Sequence, residues 1–593
     1  MVSHPTVSRQ LSRNDMAKLK KAKYKDFLEH INELSHSDRA HLGGLCLLFS
    51  YPVLDQNELE STELPVSQRI LFAVAKHAGC ETDWELVTVG TRETRTFGTV
   101  GFKPDYVIIH PMISVLPSLD SLVDDYKKRF PLTTIVLQNS DQHQHEKVIG
   151  GPRAIEIAQE LLINFQQVDY ILLGFAEHAL LSLLLDKPTT EVMGREGRGE
   201  LPGRIYSFAT LPNGDALQSA EVTGNSLRVQ RARGCLAPCT YCIEGQANRV
   251  IDGERPWDGL PMDEFVERLG SYAHQGYFFI NIIDSSFEDP GPRGLKDLSR
   301  FCELILQEKI NLSFKIHLRA ENALKADENA LALWKKAGID VIVCGLESGN
   351  QKELDFYRKL ASKEISLRAF QHLERPEVFC NILGFMMFTP IATEEILREK
   401  VEFLREIGRG WDFLNLTNRL LVFWGTQIHG QLIDKGLIDS ARTEIGYVPY
   451  GYIDARVETL DKIFNRIKKL RPGFMRLNNL IYDAMNLESR MLNAVNSQYL
   501  EMAGRSFVQF RRELSDRKSR LNDLYFRGFR SILEDNNRPF LPDFDENREY
   551  DVQRKEIQEC LQFEEKLPSP PTTLYLQTWL SVVNRLGTED EKT

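Results

Sequence analysis

The chain has 593 residues, of which 42% are hydrophobic and 26% are charged, so it can bury a sizeable core and is not expected to be disordered. Its formal net charge is -11, and the basic residues form no concentrated stripe apart from residues 18–26, which argues against a broad nucleic-acid-binding surface. That basic run lies in an amphipathic pattern, so a solvated helix face accounts for it without a membrane role.

A chain of this length exceeds what one hydrophobic core normally serves. We predict an N-terminal helical extension at 1–40 and a first α/β domain at 41–190. A linker at 191–225 leads to a second α/β domain at 226–432 and a helical C-terminal cap domain at 433–593. The first residues lack the apolar core of a secretory signal, and no run of about 18 apolar residues occurs, so we expect a cytoplasmic protein with no membrane partner.

Residues 41–185 alternate between short apolar runs and helical patterns, as in "DYVIIHP" followed by "SLDSLVDDYKKRF". Continuous Val, Ile and Leu runs separated by helices predict parallel strands buried on both faces, in a Rossmann-like, doubly wound sheet. Such a sheet binds ligands at the carboxyl ends of its strands. The candidate cofactor-binding residues in these strand-end loops are Tyr51, His110, Met112, Gln138, Asn139, Gly150, Gly151 and Gly174.

The glycine-rich and charged stretch at 194–203 indicates a linker. Between 226 and 432, six apolar runs are each followed by helical sequence, which predicts a partial (β/α)6 barrel with its functional face at the carboxyl ends of the strands. Beyond 433 an apolar stripe at helical spacing predicts helices packed on that barrel. The stripe consists of Phe507, Phe510, Leu514, Leu521, Tyr525 and Ile532.

Three of the nine cysteines, Cys235, Cys239 and Cys242, lie in the loop after the first predicted barrel strand with the spacing C-x3-C-x2-C. A structural zinc site needs four ligands, and no cysteine or histidine follows closely enough to complete one. A cubane iron–sulfur cluster held by three thiolates keeps one iron open to a substrate or cofactor. The spacing therefore favours such a cluster. The remaining cysteines are scattered among apolar residues and are predicted to be core residues: Cys46, Cys80, Cys302, Cys344, Cys380 and Cys560.

The segment "GCLAPCTYC" resembles the C-x3-C-x-aromatic-C motif of radical S-adenosylmethionine (SAM) enzymes, with Tyr241 at the aromatic position. The resemblance implies that SAM chelates the open iron and is cleaved to a 5'-deoxyadenosyl radical. "FINIIDSSF" and "VCGLESGN" resemble the family's second and fourth strand ends, so Asp284 and Glu347 are candidate cofactor contacts. Arg319 is a candidate for the SAM carboxylate. An ordinary strand-end ion pair is the alternative for Arg319 and Glu347.

A doubly wound domain before such a barrel resembles the cobalamin-binding domain of cobalamin-dependent radical SAM enzymes, which implies that a corrin lies between the two domains. The sequence departs from cobalamin domains that carry D-x-H-x-x-G after the first strand, since "SYPVLD" stands there. A similar string at 141–146 lacks the glycine, and an exposed histidine pair is the favoured interpretation of His143 and His145. The lower ligand of cobalt is unassigned.

These observations predict a cobalamin-dependent radical SAM enzyme with a 4Fe-4S cluster, SAM and cobalamin, most simply a C-methyltransferase acting on an unactivated carbon. The predicted partners are a small-molecule or peptide substrate, the small molecule ranked first, and a reductant such as flavodoxin or ferredoxin. The alternatives are a rearrangement, cyclisation or dehydration in the same subfamily, a radical SAM enzyme whose first domain binds no cobalamin, and a non-enzymatic iron–sulfur or zinc protein. No catalytic side chain is assigned.

Overall fold

The structure of the protein is a computed structural model. It describes residues 45–52, 66–89, 94–97, 101–110, 118–138, 154–173, 176–186, 192–199, 226–244, 257–289, 294–375, 378–440, 447–494 and 499–564. Among the helices within these ranges, none is both long and apolar enough to cross a membrane.

The first domain is one sheet with helices between its strands. Its elements are β1 (Leu45–Pro52), α1 (Val66–Ala78), β2 (Thr82–Val89), β3 (Thr94–Phe97), β4 (Tyr106–His110), α2 (Leu119–Arg129), β5 (Thr134–Leu137), α3 (Ala154–Asn164), β6 (Tyr170–Leu172), α4 (Glu177–Leu184), β7 (Val192–Gly194) and β8 (Gly197–Arg198). The strand order is β3-β2-β1-β4-β5-β6-β7-β8. Strands β2, β1, β4, β5 and β6 run parallel, and the order reverses between β1 and β4.

Alternate residues of the first sheet enter two different cores. Ile108 packs in the core that contains α1 and α4, whereas Val107 and Ile109 pack in the core that contains α2 and α3. Successive side chains of a strand point to opposite faces, so helices cover this sheet on both sides. The doubly wound prediction is confirmed, and the crevice beside the β1–β4 reversal is where such a sheet binds ligands.

The predicted linker differs from the structure at its start. Residues 192–198 form the β7–β8 hairpin, which extends the first sheet through antiparallel pairing of β6 with β7. Gly197 has φ +125°, a backbone conformation that a side chain would strain, so this glycine permits the tight turn of the hairpin.

The second domain contains β9 (Ser226–Val229), β10 (Ala232–Gly234), β11 (Trp257–Gly259), α5 (Met262–His274), β12 (Phe279–Ile282), α6 (Gly294–Gln307), β13 (Ser313–Arg319), α7 (Ala320–Ala323), α8 (Glu328–Lys336), β14 (Ile339–Glu347), α9 (Gln351–Phe356), α10 (Lys363–Glu374), β15 (Cys380–Phe385), α11 (Glu394–Glu406) and α12 (Phe413–Thr417). Its main sheet is parallel in the order β15-β14-β13-β12-β9, and β10 and β11 form a separate antiparallel ribbon.

Two of the six predicted barrel strands differ from expectation. The first divides into β9 and β10, because the backbone N–H groups of Arg231 and Ala232 donate to the carboxylate of Asp284 instead of to a neighbouring strand. The sixth is replaced by α12, which Asp412 caps by accepting from Asn415 N, and by one parallel bridge between Phe388 and Arg419. The main sheet therefore has five strands and not six.

The C-terminal region is helical, with α13 (Gln427–Asp434), α14 (Ala455–Leu470), α15 (Gly473–Ala494), α16 (Tyr499–Glu534) and α17 (Glu546–Glu564). All six predicted stripe residues lie on α16 and are buried. The rings of Phe474 on α15 and Phe413 on α12 stack at 4.8 Å, so this helical region packs on the second domain as predicted.

Candidate functional site

The three clustered cysteines lie in the loop after β10, on the side of the main sheet where its strands end. The middle of this loop is held from two directions. Thr240 N donates to Tyr357 O at 2.9 Å, and Ile428 N donates to Thr240 O at 3.0 Å. The end of α9 and the start of α13 therefore fix the loop that carries the thiols.

Burial is the main influence on the thiols. It raises the pKa of Cys235 to about 11 and also raises the pKa values of Cys239 and Cys242. Uncoordinated, the three groups are neutral thiols at physiological pH, so a bound metal must displace their protons. Within the described ranges, no three Cys, His, Asp or Glu side chains are grouped to hold a metal ion.

Arg319, at the end of β13, reaches the cysteine loop through Asp289. Its Nη2 and Nη1 donate to Oδ1 and Oδ2 of Asp289 at 2.8 and 3.1 Å, and Nη1 lies 4.0 Å from the sulfur of Cys235. Asp289 Oδ2 also accepts from the backbone N–H of Leu236 at 3.2 Å. A bidentate guanidinium–carboxylate pair has a specific geometry, so the pair of Arg319 and Asp289 fixes the position of the loop beside Cys235.

Two further carboxylates surround Arg319. Its Nε lies 3.0 Å from Glu321 and 3.6 Å from Glu288, and its backbone N–H donates to Glu288 at 2.9 Å. Burial lowers the pKa of Arg319, but the carboxylates of Glu288 and Asp289 outweigh burial and the pKa rises. Arg319 thus takes part in a strand-end ion pair, which is the alternative stated above, and its contact with a SAM carboxylate stays a prediction.

Glu347 ends β14 and pairs with a residue that the sequence did not single out. Its Oε1 accepts from Lys359 Nζ at 3.1 Å, and the side chains are 14% and 7% exposed. Burial lowers the pKa of Lys359, but Glu347 and the nearby Cys239 outweigh it and the pKa rises. Burial, and then Glu347, raise the pKa of Tyr241 well above its usual value. The predicted residues Tyr241 and Glu347 therefore lie together beside the thiols.

The backbone at Glu347 is in a sparsely populated conformation. Its φ is +71°, the left-handed region that side-chain-bearing residues seldom adopt. A Cβ added at Gly345 would lie 2.4 Å from Glu347 Oε1, and one added at Gly384 would lie 3.7 Å from it. The two glycines thus leave room for the carboxylate over the ends of β14 and β15. Strain of this kind is concentrated at functional sites, where the surroundings enforce it.

Asp284 is buried, with 1% of its surface exposed, and it faces the backbone. Its Oδ1 accepts from Arg231 N at 2.8 Å and from Ala232 N at 3.0 Å, and Oδ2 lies 3.5 Å from Arg231 Nε. Burial raises its pKa to about 6. The carboxylate therefore anchors the chain where β9 gives way to β10, and its predicted contact with a cofactor is untested.

In the first domain the described candidates flank the β1–β4 reversal. His110 ends β4, pairs in register with Phe49 of β1, and its Nδ1 lies 3.1 Å from Gln138 O. His110 and Gln138 are both buried, and the backbone of Tyr51 lies near the end of β1. The remaining candidates lie outside the described residues: Met112, Asn139, Gly150, Gly151, Gly174, His143 and His145.

A buried ion pair connects the two domains next to the cysteine loop. Arg233 of β10 donates through Nη2 to Glu177 at the start of α4, and the two side chains are 7% and 6% exposed. One helix away, Arg69 Nη2 on α1 donates to Arg228 O on β9 at 2.5 Å. Helices α1 and α4 thus lie between the first sheet and the second domain.

Sequence reasoning missed Asp289, Lys359 and Glu177, which all act through partners distant in the chain. Asp289 follows the quoted "FINIIDSSF" by two residues, so an acidic residue in that strand-end loop was a usable signal. Lys359 follows α9 and Glu177 begins α4, and no local pattern distinguishes either from an ordinary surface charge.

No protein-family model matches the chain. Over 95% of its length it superposes on 81% of OxsB, a cobalamin-dependent SAM radical enzyme solved with aqua-cobalamin and SAM, with a TM-score of 0.60 and 14% sequence identity. The chain therefore has the fold of the cobalamin-dependent radical SAM enzymes, as the cysteine motif and the two α/β domains predict.

Two curated proteins are similar in sequence. The chain is 25% identical over 247 residues to 4'-phospho-dehydrooxetanocin synthase of Priestia megaterium. This alignment covers 38% of this chain and 31% of that protein. It is 26% identical over 175 residues to the anaerobic magnesium-protoporphyrin IX monomethyl ester cyclase of Rubrivivax gelatinosus. This alignment covers 30% of this chain and 30% of that protein. The matches thus span about a third of each relative.

Proposed function

We propose that the protein is a cobalamin-dependent radical SAM enzyme that acts on a small molecule in the cytoplasm and takes electrons from flavodoxin or ferredoxin. The observation that carries this proposal is the loop with Cys235, Cys239 and Cys242 at the carboxyl ends of the main sheet. OxsB, which shares the fold, binds cobalamin and SAM.

The three cysteines are the right donors for a three-thiolate cluster, but within the described ranges their sulfurs are not grouped around a common point, so cluster binding must draw them together. Cys235 has the guanidinium of Arg319 at 4.0 Å, and Cys239 has the ammonium of Lys359 within electrostatic reach. Cations beside buried sulfur favour the thiolate form that iron requires. When bound, the cluster and SAM supply an electron and a radical that abstracts hydrogen, and cobalamin supplies methyl-transfer chemistry.

The chain's own groups position and shield that chemistry. Asp289 holds Arg319 and the loop backbone, and Glu347 and Tyr241 offer polar atoms beside the thiols. For cobalamin, the described crevice residues His110 and Gln138 are buried and in contact with each other, so no residue is assigned to cobalt.

C-methylation of an unactivated carbon is the reaction we propose first. A ring-forming or ring-rearranging reaction is the second candidate, because one curated relative is a cyclase by name. Mass spectrometry of the product separates the two, since methylation adds one CH2 to the substrate and ring closure does not.

The test of the proposal is anaerobic purification with cobalamin present, followed by quantitation of iron and cobalt. We expect about four irons per chain and one cobalt. Cys239→Ala should lose most of the iron, whereas the matched control Cys302→Ala, in the core on α6, should retain it. Equal iron in both variants would refute the cluster, and iron without cobalt would refute the cobalamin part.

A further inference from the structure

An open cavity of about 410 Å³ lies beside helix α14. Its wall includes Arg419 from the segment after α12, and Tyr450 and Tyr452 from the segment before α14. The helix contributes residues spaced three or four apart between Glu458 and Lys469. Because an α-helix has 3.6 residues per turn, these residues lie on one face of α14.

The side of α14 that lines the cavity is basic in an otherwise acidic chain. Residues 455–471 include six basic and two acidic residues, whereas the whole chain has 73 basic and 84 acidic residues. Arg466 and Lys469 are exposed, and within the described part of the chain neither side chain makes an ion pair or a hydrogen bond. Lys462 is 73% exposed and has only a surface pair with Glu458, and such pairs contribute little. Lys462, Arg466 and Lys469 therefore form a basic face whose charge is available to a partner.

Arg419 adds no free charge to this face, because its guanidinium is held inside the wall of the cavity. It lies 5.2 Å from the ring centre of Tyr450, and Nη1 lies 3.7 Å from Oδ2 of Asp461. The same oxygen accepts from the hydroxyl of Tyr452 at 2.8 Å, and the rings of Tyr450 and Tyr452 are 5.4 Å apart. Asp461 thus neutralises Arg419, and the wall is a fixed aromatic surface beside the basic face.

Tyrosine rings connect this wall with the cysteine loop. Tyr450 interacts electrostatically with the buried Tyr357. The ring of Tyr357 meets that of Tyr241, in the cysteine loop, edge-on at 5.5 Å. The parallel bridge between Phe388 and Arg419 also places the wall just beyond the end of β15, on the side of the sheet where the cysteine loop lies. The basic face is therefore a charged surface that aromatic contacts join to the thiols.

The extent and charge of the basic face suit a protein partner. From Lys462 to Lys469 the helix advances by about 10 Å, a distance over which several carboxylates of a protein surface can face the three cations. Complementary charge of this kind speeds association and orients the partner. Glu458 and Asp461 line the same cavity, and these two acids disfavour the phosphate backbone of a nucleic acid.

We infer that an acidic electron-carrier protein docks on the basic face, with its carboxylates against Lys462, Arg466 and Lys469 and its redox group toward Tyr450 and Tyr452. In the electron step the carrier is oxidised by one electron, and the cluster held by the cysteine loop is reduced by the same electron, with no proton transferred. This inference rests on the proposed function, which needs such a reductant, and names the surface that receives it.

The test measures the Kd of oxidised flavodoxin, an acidic carrier, for the full-length protein by calorimetry. We expect binding that weakens as the salt concentration rises, because salt screens exposed charges. Arg466→Glu/Lys469→Glu should weaken the Kd by about tenfold or more. The matched control is Lys336→Glu/Arg512→Glu, which makes the same change of charge at exposed positions on α8 and α16 and should bind as the wild type does.

Cross-linking locates the contact independently, should the charge-reversed variant fold poorly. A carbodiimide joins ammonium groups to carboxylates that touch them, so mass spectrometry of the wild-type complex should find flavodoxin peptides attached to Lys462 and Lys469. No binding, an unchanged Kd in the folded Arg466→Glu/Lys469→Glu variant, an equal loss in the control, or cross-links confined to other lysines would overturn the inference. Iron-free protein should bind flavodoxin equally well, so iron content and reduction of the cluster by dithionite report separately on the proposed function.

Discussion

The carboxylate of Glu347 lies 3.1 Å from the ammonium group of Lys359, at the position where β14 ends in a left-handed backbone conformation. Lys359 is 7% exposed and also interacts electrostatically with the thiol of Cys239. One buried ammonium therefore neutralises a carboxylate and favours the thiolate form of a cysteine, which links the geometry of the β14 end to the chemistry of the cysteine loop.

Removing only the ammonium group of Lys359 should lower the stability of the protein more than removing the charges of both Lys359 and Glu347. Lys359→Met leaves the carboxylate of Glu347 buried and unpaired, which we expect to lower the free energy of unfolding by about 3 kcal/mol. Combining it with Glu347→Gln should recover part of that loss, because no buried charge then remains. Urea unfolding of the iron-free proteins measures both effects. A double variant no more stable than Lys359→Met would contradict this account.

The same reasoning applies to Asp289, which joins Arg319 to the cysteine loop. Asp289→Ala removes the bidentate acceptor of Arg319, which keeps Glu288 and Glu321 as counter-charges, and leaves Leu236 N–H without its acceptor. We therefore expect a loss of about 2 kcal/mol and less iron after reconstitution. Asp263→Ala is the matched control, because its pair with Arg300 is exposed and should contribute no more than about 1 kcal/mol. Equal losses in the two variants would show that the buried pair has no special role.

Much of the fold follows from local sequence. The Val, Ile and Leu runs of the first domain predict a sheet covered on both faces, because apolar residues at every position of a strand require burial on two sides. The cysteine spacing likewise predicts a three-thiolate loop without reference to the fold. These features depend on residues that are neighbours in the chain.

The features that the sequence did not predict depend on contacts between residues that are distant in the chain. The sixth predicted strand has strand-like composition, yet the cap at Asp412 turns its first part into α12. The break between β9 and β10 depends on Asp284, more than fifty residues away. The role of Lys359 depends on its position in the fold, just after α9 and within electrostatic reach of Cys239. In each case a contact between residues distant in the chain determines the local structure or the role of the residue. The neighbouring residues in the sequence do not indicate that contact.

The contact between the two domains gives a third prediction. Glu177→Gln leaves the guanidinium of Arg233 buried at the domain boundary, so we expect a loss of about 3 kcal/mol. For units of this size that corresponds to a fall of roughly 6–12 °C in Tm. Calorimetry should also resolve the single transition into two if the pair couples the domains. An Arg233→Met/Glu177→Met double variant should be more stable than the sum of its single changes, and strict additivity would contradict the coupling.

His317 gives the stability of the protein a specific dependence on pH. Burial, assisted by Lys315, lowers the pKa of His317 from 6.5 to about 4. Between pH 4 and 6.5 the unfolded chain therefore binds a proton that the folded chain does not, so stability from this group rises with pH across that window and is constant above it. The difference amounts to about 3 kcal/mol at most.

The measurement is urea unfolding of wild type and His317→Gln at pH 5 and pH 7. The gain in stability from pH 5 to pH 7 should be smaller in the variant. Burial raises the pKa values of Asp284 and Asp483 to about 6 and about 7, so these carboxyls oppose the histidine, but both remain in the variant and cancel in the comparison. His274→Gln on the exposed end of α5 should change nothing. An identical pH dependence in wild type and His317→Gln would mean that the imidazole is not held neutral inside the folded protein.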